Sequence, residues 1–269
     1  MPVHVLPAES PLILSMPHTG TDIPPVWYRR LNETGQGLID TDWHVDRLYD
    51  RLVPDATIVR ARFHRYVSDA NRDPEGASLY PGQNTTGLVP LTTFDGDPIW
   101  DDPPTAREMK SLQSAFFAPY HAALAAQIAR VQLAFGYAIL FDCHSIRSRV
   151  PHLFEGRLPD LNIGTYNGAS CDARLAAGVA GICNRASGYT TVLNGRFRGG
   201  WTTRRYGRPH AGVHAIQMEL AQSTYLTSEQ EPWHYDAEKA SDLRDVLREL
   251  LQYLIGWTPG SASSIKQNI

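Results

Sequence analysis

Two short apolar segments, residues 12–16 and 137–141, are each followed closely by a histidine, His18 and His144. Both segments have the length and composition of buried β-strands. In an open α/β sheet, the carboxyl ends of the parallel strands face the crevice in which ligands bind. The sequence therefore predicts an α/β protein in which two imidazoles from distant parts of the chain meet at one edge of the sheet.

Strand-like and helix-like patterns alternate along most of the chain. Strands are predicted at residues 11–16, 56–63, 137–141, 189–193 and 213–220, and helices at residues 38–52, 105–135 (with an interruption near Pro119), 171–186 and 236–257. This alternation is typical of one α/β domain with a mixed, largely parallel sheet. We therefore expect a single domain over residues 1–269, with a loose Ser- and Gly-rich tail from about residue 259.

Residues 74–103 are rich in Pro, Gly, Asp and Thr and show no strand or helix pattern. They predict a long irregular segment, and segments of this length within a compact domain often contribute to function.

Composition and charge narrow the choice of partners. A net charge of -3 and a pI near 6.4 argue against nucleic acid and against an anionic membrane surface as partners. No apolar run is long enough to span a membrane, and no signal peptide is visible at the amino terminus. The three cysteines have no C-x-x-C spacing, which favours reduced thiols and a cytoplasmic location. The sequence does not predict an oligomeric state.

The two histidines fit a catalytic metal site, which usually has three protein ligands and one open position. A third ligand is available in the acidic segment 40–46, where Asp40, Asp42 and Asp46 are all candidates. These aspartates could equally cap a helix or interact with its dipole. The motifs G-x-S-x-G, H-E-x-x-H and G-x-G-x-x-G are absent, as is a P-loop, which disfavours serine hydrolases, zincins and nucleotide-binding proteins.

Arginines are the candidate groups for binding an anion. Arg72, which follows Asn71, carries a planar guanidinium suited to a carboxylate. Residues 194–208 include five arginines separated by glycines, a pattern that suits a small polyanionic substrate. A solvated basic loop is the alternative interpretation of this segment.

Glu219 lies within the apolar strand pattern at residues 213–220. A carboxylate in such a position is costly unless it is paired or used. It could act as a general base beside a metal site, or it could form a buried ion pair with an arginine.

Six segments together resemble the N-formylglutamate amidohydrolase family, whose members act in histidine breakdown. They are residues 15–20, 40–49, 69–72, 142–145, 199–207 and 217–220. The resemblance runs from about residue 11 to residue 226. It implies a three-layer α/β/α sandwich like that of zinc carboxypeptidases and aspartoacylases.

The resemblance also implies a set of site residues. It implies one divalent metal ion, with Zn²⁺ expected, held by His18, His144 and a carboxylate of the 40–46 segment. Our choice is Asp42, with Asp40 and Asp46 as alternatives. Relatives with a His-x-x-Glu pair would place the acid at the position of Thr21, so Asp22 is a weaker candidate. Glu219 is the expected base, and the expected substrate-binding residues are Asn71, Arg72, Arg147, Arg204 and Arg205.

The implied activity is hydrolysis of N-formyl-L-glutamate, a small dianion, to formate and L-glutamate. A different zinc-dependent N-acyl-amino-acid deacylase or a carboxypeptidase-like amidohydrolase is the first alternative. A non-catalytic anion-binding protein with structural histidines is the second.

Overall fold

A computed structural model describes residues 1–78 and 82–260 of the chain. The strands are β1 (Val3–Leu6), β2 (Leu12–Met16), β3 (Thr57–Ala61), β4 (Ala138–Ile146), β5 (Leu161–Gly164), β6 (Thr191–Leu193) and β7 (Val213–Ala221). The α-helices are α1 (Pro25–Tyr28), α2 (Glu33–Gln36), α3 (Val45–Tyr49), α4 (Ala106–Leu112), α5 (Ala118–Phe135), α6 (Ala173–Arg185), α7 (Trp201–Tyr206) and α8 (Ala237–Gly256). A π-helical turn, Gln113–Phe117, joins α4 to α5, and 3₁₀ turns lie at Pro209–Ala211 and Gln222–Thr224.

Within the described residues, the strands form one seven-stranded sheet in the order β1-β3-β2-β4-β7-β5-β6. Neighbours from β3 through β2 and β4 to β7 are parallel, whereas β1 and β5 run antiparallel to β3 and β7. The strands β2, β4 and β7 are buried along their whole length, as expected for central parallel strands. The predicted mixed, largely parallel sheet is confirmed.

Helices cover both faces of this sheet. Alternate side chains of β2 point to opposite faces, so Leu12 and Leu14 join one core and Ile13 joins the other. The first core is closed by α3, α6 and α8, and the second by α4 and α5. The molecule is therefore the three-layer α/β/α sandwich that the resemblance implies.

The predicted helix at residues 38–52 is largely wrong, because only α3 is α-helical there. His44 has a left-handed backbone, with φ of 59°, and it separates α3 from the turns before it. In these turns the Asp42 amide donates to the His18 carbonyl at 3.0 Å, a tertiary bond that replaces a helical one. Local periodicity cannot reveal such a bond.

The strand β4 runs beyond its predicted end, so His144 lies inside the strand and not after it. The short strands β1 and β5 and the helix α7 were not predicted, since four to six residues give too little periodicity. The predicted interruption near Pro119 is present as the π-helical turn before α5.

The described parts of the 74–103 segment contain no helix or strand apart from isolated bridges, as predicted. Nearly all of the predicted tail lies outside the described residues, and the single-domain assignment stays a prediction. None of the helices in the described ranges is both long and apolar enough to cross a membrane.

Candidate metal centre and active site

His18, Asp42 and His144 converge at the carboxyl edge of the sheet. His18 follows β2, Asp42 lies in the turn before α3, and His144 lies in β4 beside β2. One ligand atom from each residue lies within 4.8 Å of the others, and the imidazole centroids are 5.0 Å apart. The Asp42 Oδ2 atom is 3.1 Å from His144 Nδ1 and 3.7 Å from His18 Nδ1. The structure thus brings together the three residues chosen as metal ligands.

Two further carboxylates lie behind the imidazoles, and Asp69 forms a hydrogen bond with His18. His18 Nε2 lies 2.7 Å from Asp69 Oδ1, and His144 Nε2 lies 2.9 Å from Asp142 Oδ2. Carboxylates in this position fix the tautomer and the orientation of metal-binding histidines. His18 Nδ1 is then left facing Asp42 with its lone pair available.

A divalent cation fits this cluster. The buried His18 Nδ1 atom has no hydrogen-bond partner among the described residues, although an unpaired buried nitrogen is costly. Two neutral imidazoles and one carboxylate are also a common ligand set for catalytic zinc.

The other candidate carboxylates are engaged elsewhere. Asp40 Oδ2 accepts hydrogen bonds from the Tyr66 hydroxyl and the Phe94 amide. Asp46 pairs with Arg60, and the exposed Asp22 lies 3.5 Å from Arg62. Asp42 is therefore the candidate that lies with the two histidines.

The electrostatics of the cluster favour ionised aspartates. Burial alone raises the pKa of Asp42, but the neighbouring His144 and His18 rings bring it below its usual range. Burial opposes ionisation of Asp69 too, yet the charge of Arg65 holds its pKa well below the ordinary value. Asp42 is thus ionised at neutral pH, as a carboxylate ligand of a cation must be.

Glu219 lies beside the histidines on the neighbouring strand. In the parallel register of β4 and β7 it stands opposite His144, and its side chain reaches the cavity described below. Burial raises the pKa of Glu219 to about 8, even though His144 acts to lower it. A carboxyl group with such a pKa can both take up and release a proton near neutral pH.

A cavity of about 280 Å³ opens over these residues. His18, Asp42, His144 and Glu219 line its floor, and much of the remaining wall comes from the 74–103 segment and from residues 196–200. The guanidinium groups that line it belong to Arg65, Arg72 and Arg196. These three guanidinium groups suit a small anion.

The predicted substrate-binding residues divide into two groups. Asn71 and Arg72 line the cavity, whereas Arg147, Arg204 and Arg205 are not among its described lining residues. Arg147 lies 2.6 Å from Asp95, and Arg204 and Arg205 lie on α7, where Arg205 is exposed. The structure does not bring these three arginines to the cavity.

Sequence reasoning did not select two cavity arginines. Arg196 belongs to the arginine-rich segment, but nothing in its spacing distinguishes it from the other four arginines there. Arg65 lies after β3, is 4% exposed and donates to Asp69 at 2.6 Å. The sequence signal for Arg65 is its position four residues before Asp69, a spacing at which the two side chains can pair.

The side chain of Asn71 is held by the protein itself. Its Oδ1 accepts from the Thr202 amide at 2.9 Å, and its Nδ2 lies 3.1 Å from His144 Nε2. Asn71 is only 4% exposed. Through these two contacts it links α7 to the candidate metal ligand His144.

The fold and this site define a class: an α/β protein with a buried cluster able to hold a divalent metal beside a carboxylate of raised pKa, as metal-dependent hydrolases have. The chain matches the model of the N-formylglutamate amidohydrolase family over residues 10–226, and it belongs to this family.

Individual relatives agree with this assignment. The chain is 49% identical over 250 residues to the N-formylglutamate deformylase of Pseudomonas aeruginosa, covering 92% of this chain and 93% of that protein. It is 47% identical over 251 residues to the enzyme of the same name from Pseudomonas putida, with the same shares covered. The crystal structure of N-formylglutamate amidohydrolase from Ralstonia eutropha is similar, with a TM-score of 0.79 and 25% identity, covering 94% of this chain and 97% of that chain.

Proposed function

We propose that this protein hydrolyses the amide bond of N-formyl-L-glutamate, releasing formate and L-glutamate in histidine degradation. The observation that carries the proposal is the placement of His18, Asp42, His144 and Glu219 in one cavity with three guanidinium groups. An amide hydrolase for a dianion needs this combination of metal ligands, acid–base group and positive charge. The names of the curated relatives support the same substrate.

His18, Asp42 and His144 are the residues that would hold the metal ion, and we propose Zn²⁺. Imidazole nitrogen and carboxylate oxygen are ligands that zinc accepts in catalytic sites. When bound, the ion supplies positive charge that polarises the formyl carbonyl and lowers the pKa of water.

Glu219 is the acid–base group in this proposal. It takes a proton from the attacking water and later gives this proton to the departing nitrogen of glutamate. Its pKa of about 8 supports both transfers, because the carboxyl group then binds a proton with moderate affinity near neutral pH. The buried position of Glu219, which is 7% exposed, limits exchange with bulk water.

The arginines of the cavity bind the two carboxylates of the substrate. Arg72 and Arg196 line the part of the wall that the irregular segments form, and a guanidinium can bind each carboxylate through two hydrogen bonds. Arg65 lies deeper, 3.7 Å from Asp42, where its charge stabilises the oxygen that becomes negative during attack.

We also propose a cytoplasmic location. The three cysteines are buried and unpaired, which fits a reducing compartment.

Formate release tests the function. Protein stripped with a chelator and then reloaded with zinc is assayed on N-formyl-L-glutamate, with N-acetyl-L-glutamate and an N-formylated dipeptide for comparison. We expect formate release only after reloading, with the formyl amino acid as the preferred substrate. Full activity after chelation contradicts the metal site, and preference for the acetyl compound or the dipeptide indicates a different deacylase or a peptidase.

A Glu219→Gln variant tests the acid–base role separately. We expect kcat to fall by about a thousandfold with bound zinc retained, because general acid–base catalysis contributes on this scale. Turnover at the wild-type rate would remove Glu219 from the role.

A further inference from the structure

We infer that Gln217 is a positioning residue that holds the carboxylate of Glu219 in the orientation needed for proton transfer. The inference rests on the proposed function, since it assumes that Glu219 moves the proton. It concerns a residue that lines the cavity and that the proposed function leaves without a role.

Gln217 and Glu219 are two residues apart on β7, so their side chains lie on the same face of the sheet. Gln217 is 2% exposed. Its Oε1 atom accepts a hydrogen bond from the Gly200 amide at 2.6 Å, and its Nε2 atom donates to Glu219 Oε2 at 3.0 Å. Gln217 thus connects the residue preceding α7 to the base.

The two hydrogen bonds determine the orientation of the side-chain amide of Gln217. A backbone N–H can only donate, so the oxygen of Gln217 must face Gly200. The NH₂ group must then face Glu219, and it too can only donate. Glu219 Oε2 is therefore kept as an acceptor, and a proton taken up by Glu219 goes to Oε1. Gln217 in this way selects the oxygen that carries the proton.

Within the described part of the chain, this is the one hydrogen bond made by the carboxylate of Glu219. A glutamate side chain has three rotatable bonds, and the strand backbone does not fix the last of them. Gln217 restricts this rotation, because it is itself held at both ends and buried.

The start of α7 is built to reach Gln217. A Cβ atom on Gly200 would clash with the buried side chain of Asn71, so glycine lets this backbone lie against Asn71 while its amide bonds to Gln217. The amide of Thr202, in the same turn, donates to Asn71, which contacts His144. The first turn of α7 therefore holds a side chain on each side of the cavity floor.

Gln217→Met tests the inference, because methionine has the length of glutamine and neither hydrogen bond. We expect kcat for formate release to fall by about 10- to 100-fold, the range seen when residues that orient a catalytic group are removed. KM should stay within about threefold of the wild-type value, and the zinc content should be unchanged. Gln217→Leu also removes both hydrogen bonds, with a different apolar shape, and should lose a similar part of kcat.

A double-mutant cycle separates positioning from general stability. If Gln217 acts through Glu219, then Gln217→Met should cost less than about twofold in the Glu219→Gln background. A merely structural role would lower the residual rate by the same factor in both backgrounds. Gln132→Met is the control. It makes the same change near the end of α5, where Gln132 donates to the Ala211 carbonyl.

Wild-type kcat in both Gln217 variants, or equal losses in the two backgrounds, overturns the inference. If Gln217→Met does not fold, Gln217→Leu decides by the same criteria. A wild-type enzyme that releases no formate when loaded with zinc overturns the proposed function, and the inference with it. An active wild-type enzyme with unaffected Gln217 variants overturns the inference alone.

Discussion

The two halves of the cavity are built differently. In the histidine half, His18 and His144 come from neighbouring parallel strands, and buried carboxylates lie 2.7 and 2.9 Å from their outer nitrogens. In the arginine half, Arg72 and Arg196 come from irregular segments. Their Nε atoms donate to the carbonyls of Thr86 and Leu153, both at 3.0 Å.

This difference assigns catalysis to the histidine half and substrate recognition to the arginine half. Groups on the edge of a buried sheet are held with little freedom, which suits a metal site and a proton-transfer group. Groups on loops adapt to a ligand and tolerate changes in sequence. We therefore expect substitutions in the first half to act on metal binding and kcat, and those in the second half to act on KM.

The largest effect is expected for His144→Ala, which removes a ligand from the histidine half. Zinc content should fall far below one ion per chain, and formate release should fall by at least about a thousandfold, since the ion contributes several kcal/mol. Elemental analysis and formate assays measure the two effects. His210→Ala, at an exposed position, is the control. Full zinc content in the His144→Ala variant would show that the metal is held elsewhere.

A smaller effect is expected for Arg196→Met in the arginine half. KM for N-formyl-L-glutamate should rise by about 10- to 100-fold, because a hydrogen bond to a charged group contributes about 1.5–3 kcal/mol. The value of kcat should stay within about threefold. Arg205→Met, on the exposed face of α7, should leave both constants near the wild-type values. A fall in kcat with unchanged KM for Arg196→Met would break the separation of the two halves.

The smallest effect is expected for His121, whose protonation lowers the stability of the packing beneath the histidine half. His121 donates through Nε2 to the Ala70 carbonyl at 2.8 Å, directly before Asn71, and its Nδ1 lies 3.1 Å from the Tyr206 hydroxyl. Burial lowers the pKa of His121 from 6.5 to about 4. As the pH falls below 6.5, the unfolded chain takes up a proton that the folded protein excludes, so stability is lost toward pH 4.

Urea unfolding at two pH values measures this contribution. Between pH 7 and pH 5 the wild-type protein should lose about 2 kcal/mol more unfolding free energy than a His121→Gln variant. Glutamine stays neutral and can still donate to the Ala70 carbonyl. Equal losses in the two proteins would show that His121 does not resist protonation in the folded state.

The sequence predicts the histidine half better than the arginine half, for a physical reason. Long apolar strands determine their own burial and neighbours, so the pattern places His18, just beyond β2, and His144, near the end of β4, at one edge of the sheet. The choice among Asp40, Asp42 and Asp46 stayed open because it depends on Tyr66, Phe94 and Arg60, which bind the other two aspartates. Such contacts are tertiary and leave no local pattern.

Prediction of the arginines from the sequence is limited for the same reason. Five of them share one glycine-rich segment, and their charge predicts an anion site without indicating which side chain points inward. The unpredicted helix α7 carries Arg204 and Arg205 away from the cavity, whereas Arg196 lies on the loop before it. A six-residue helix between glycines gives too little periodicity to predict these directions.

The π-helical turn at Gln113–Phe117 has a consequence for how this chain can change length. Its wider loop accommodates one residue more per hydrogen-bonded turn than an α-helix does. Each residue rotates an α-helix by about 100°, so deleting one residue here would leave a regular helix but turn α4 by that angle relative to α5. Leu112 would leave its core, and Glu108 would lose Arg30, its partner at 2.8 Å. The additional residue thus fixes the rotation of α4 relative to α5. A chain without it would have to repack both helices.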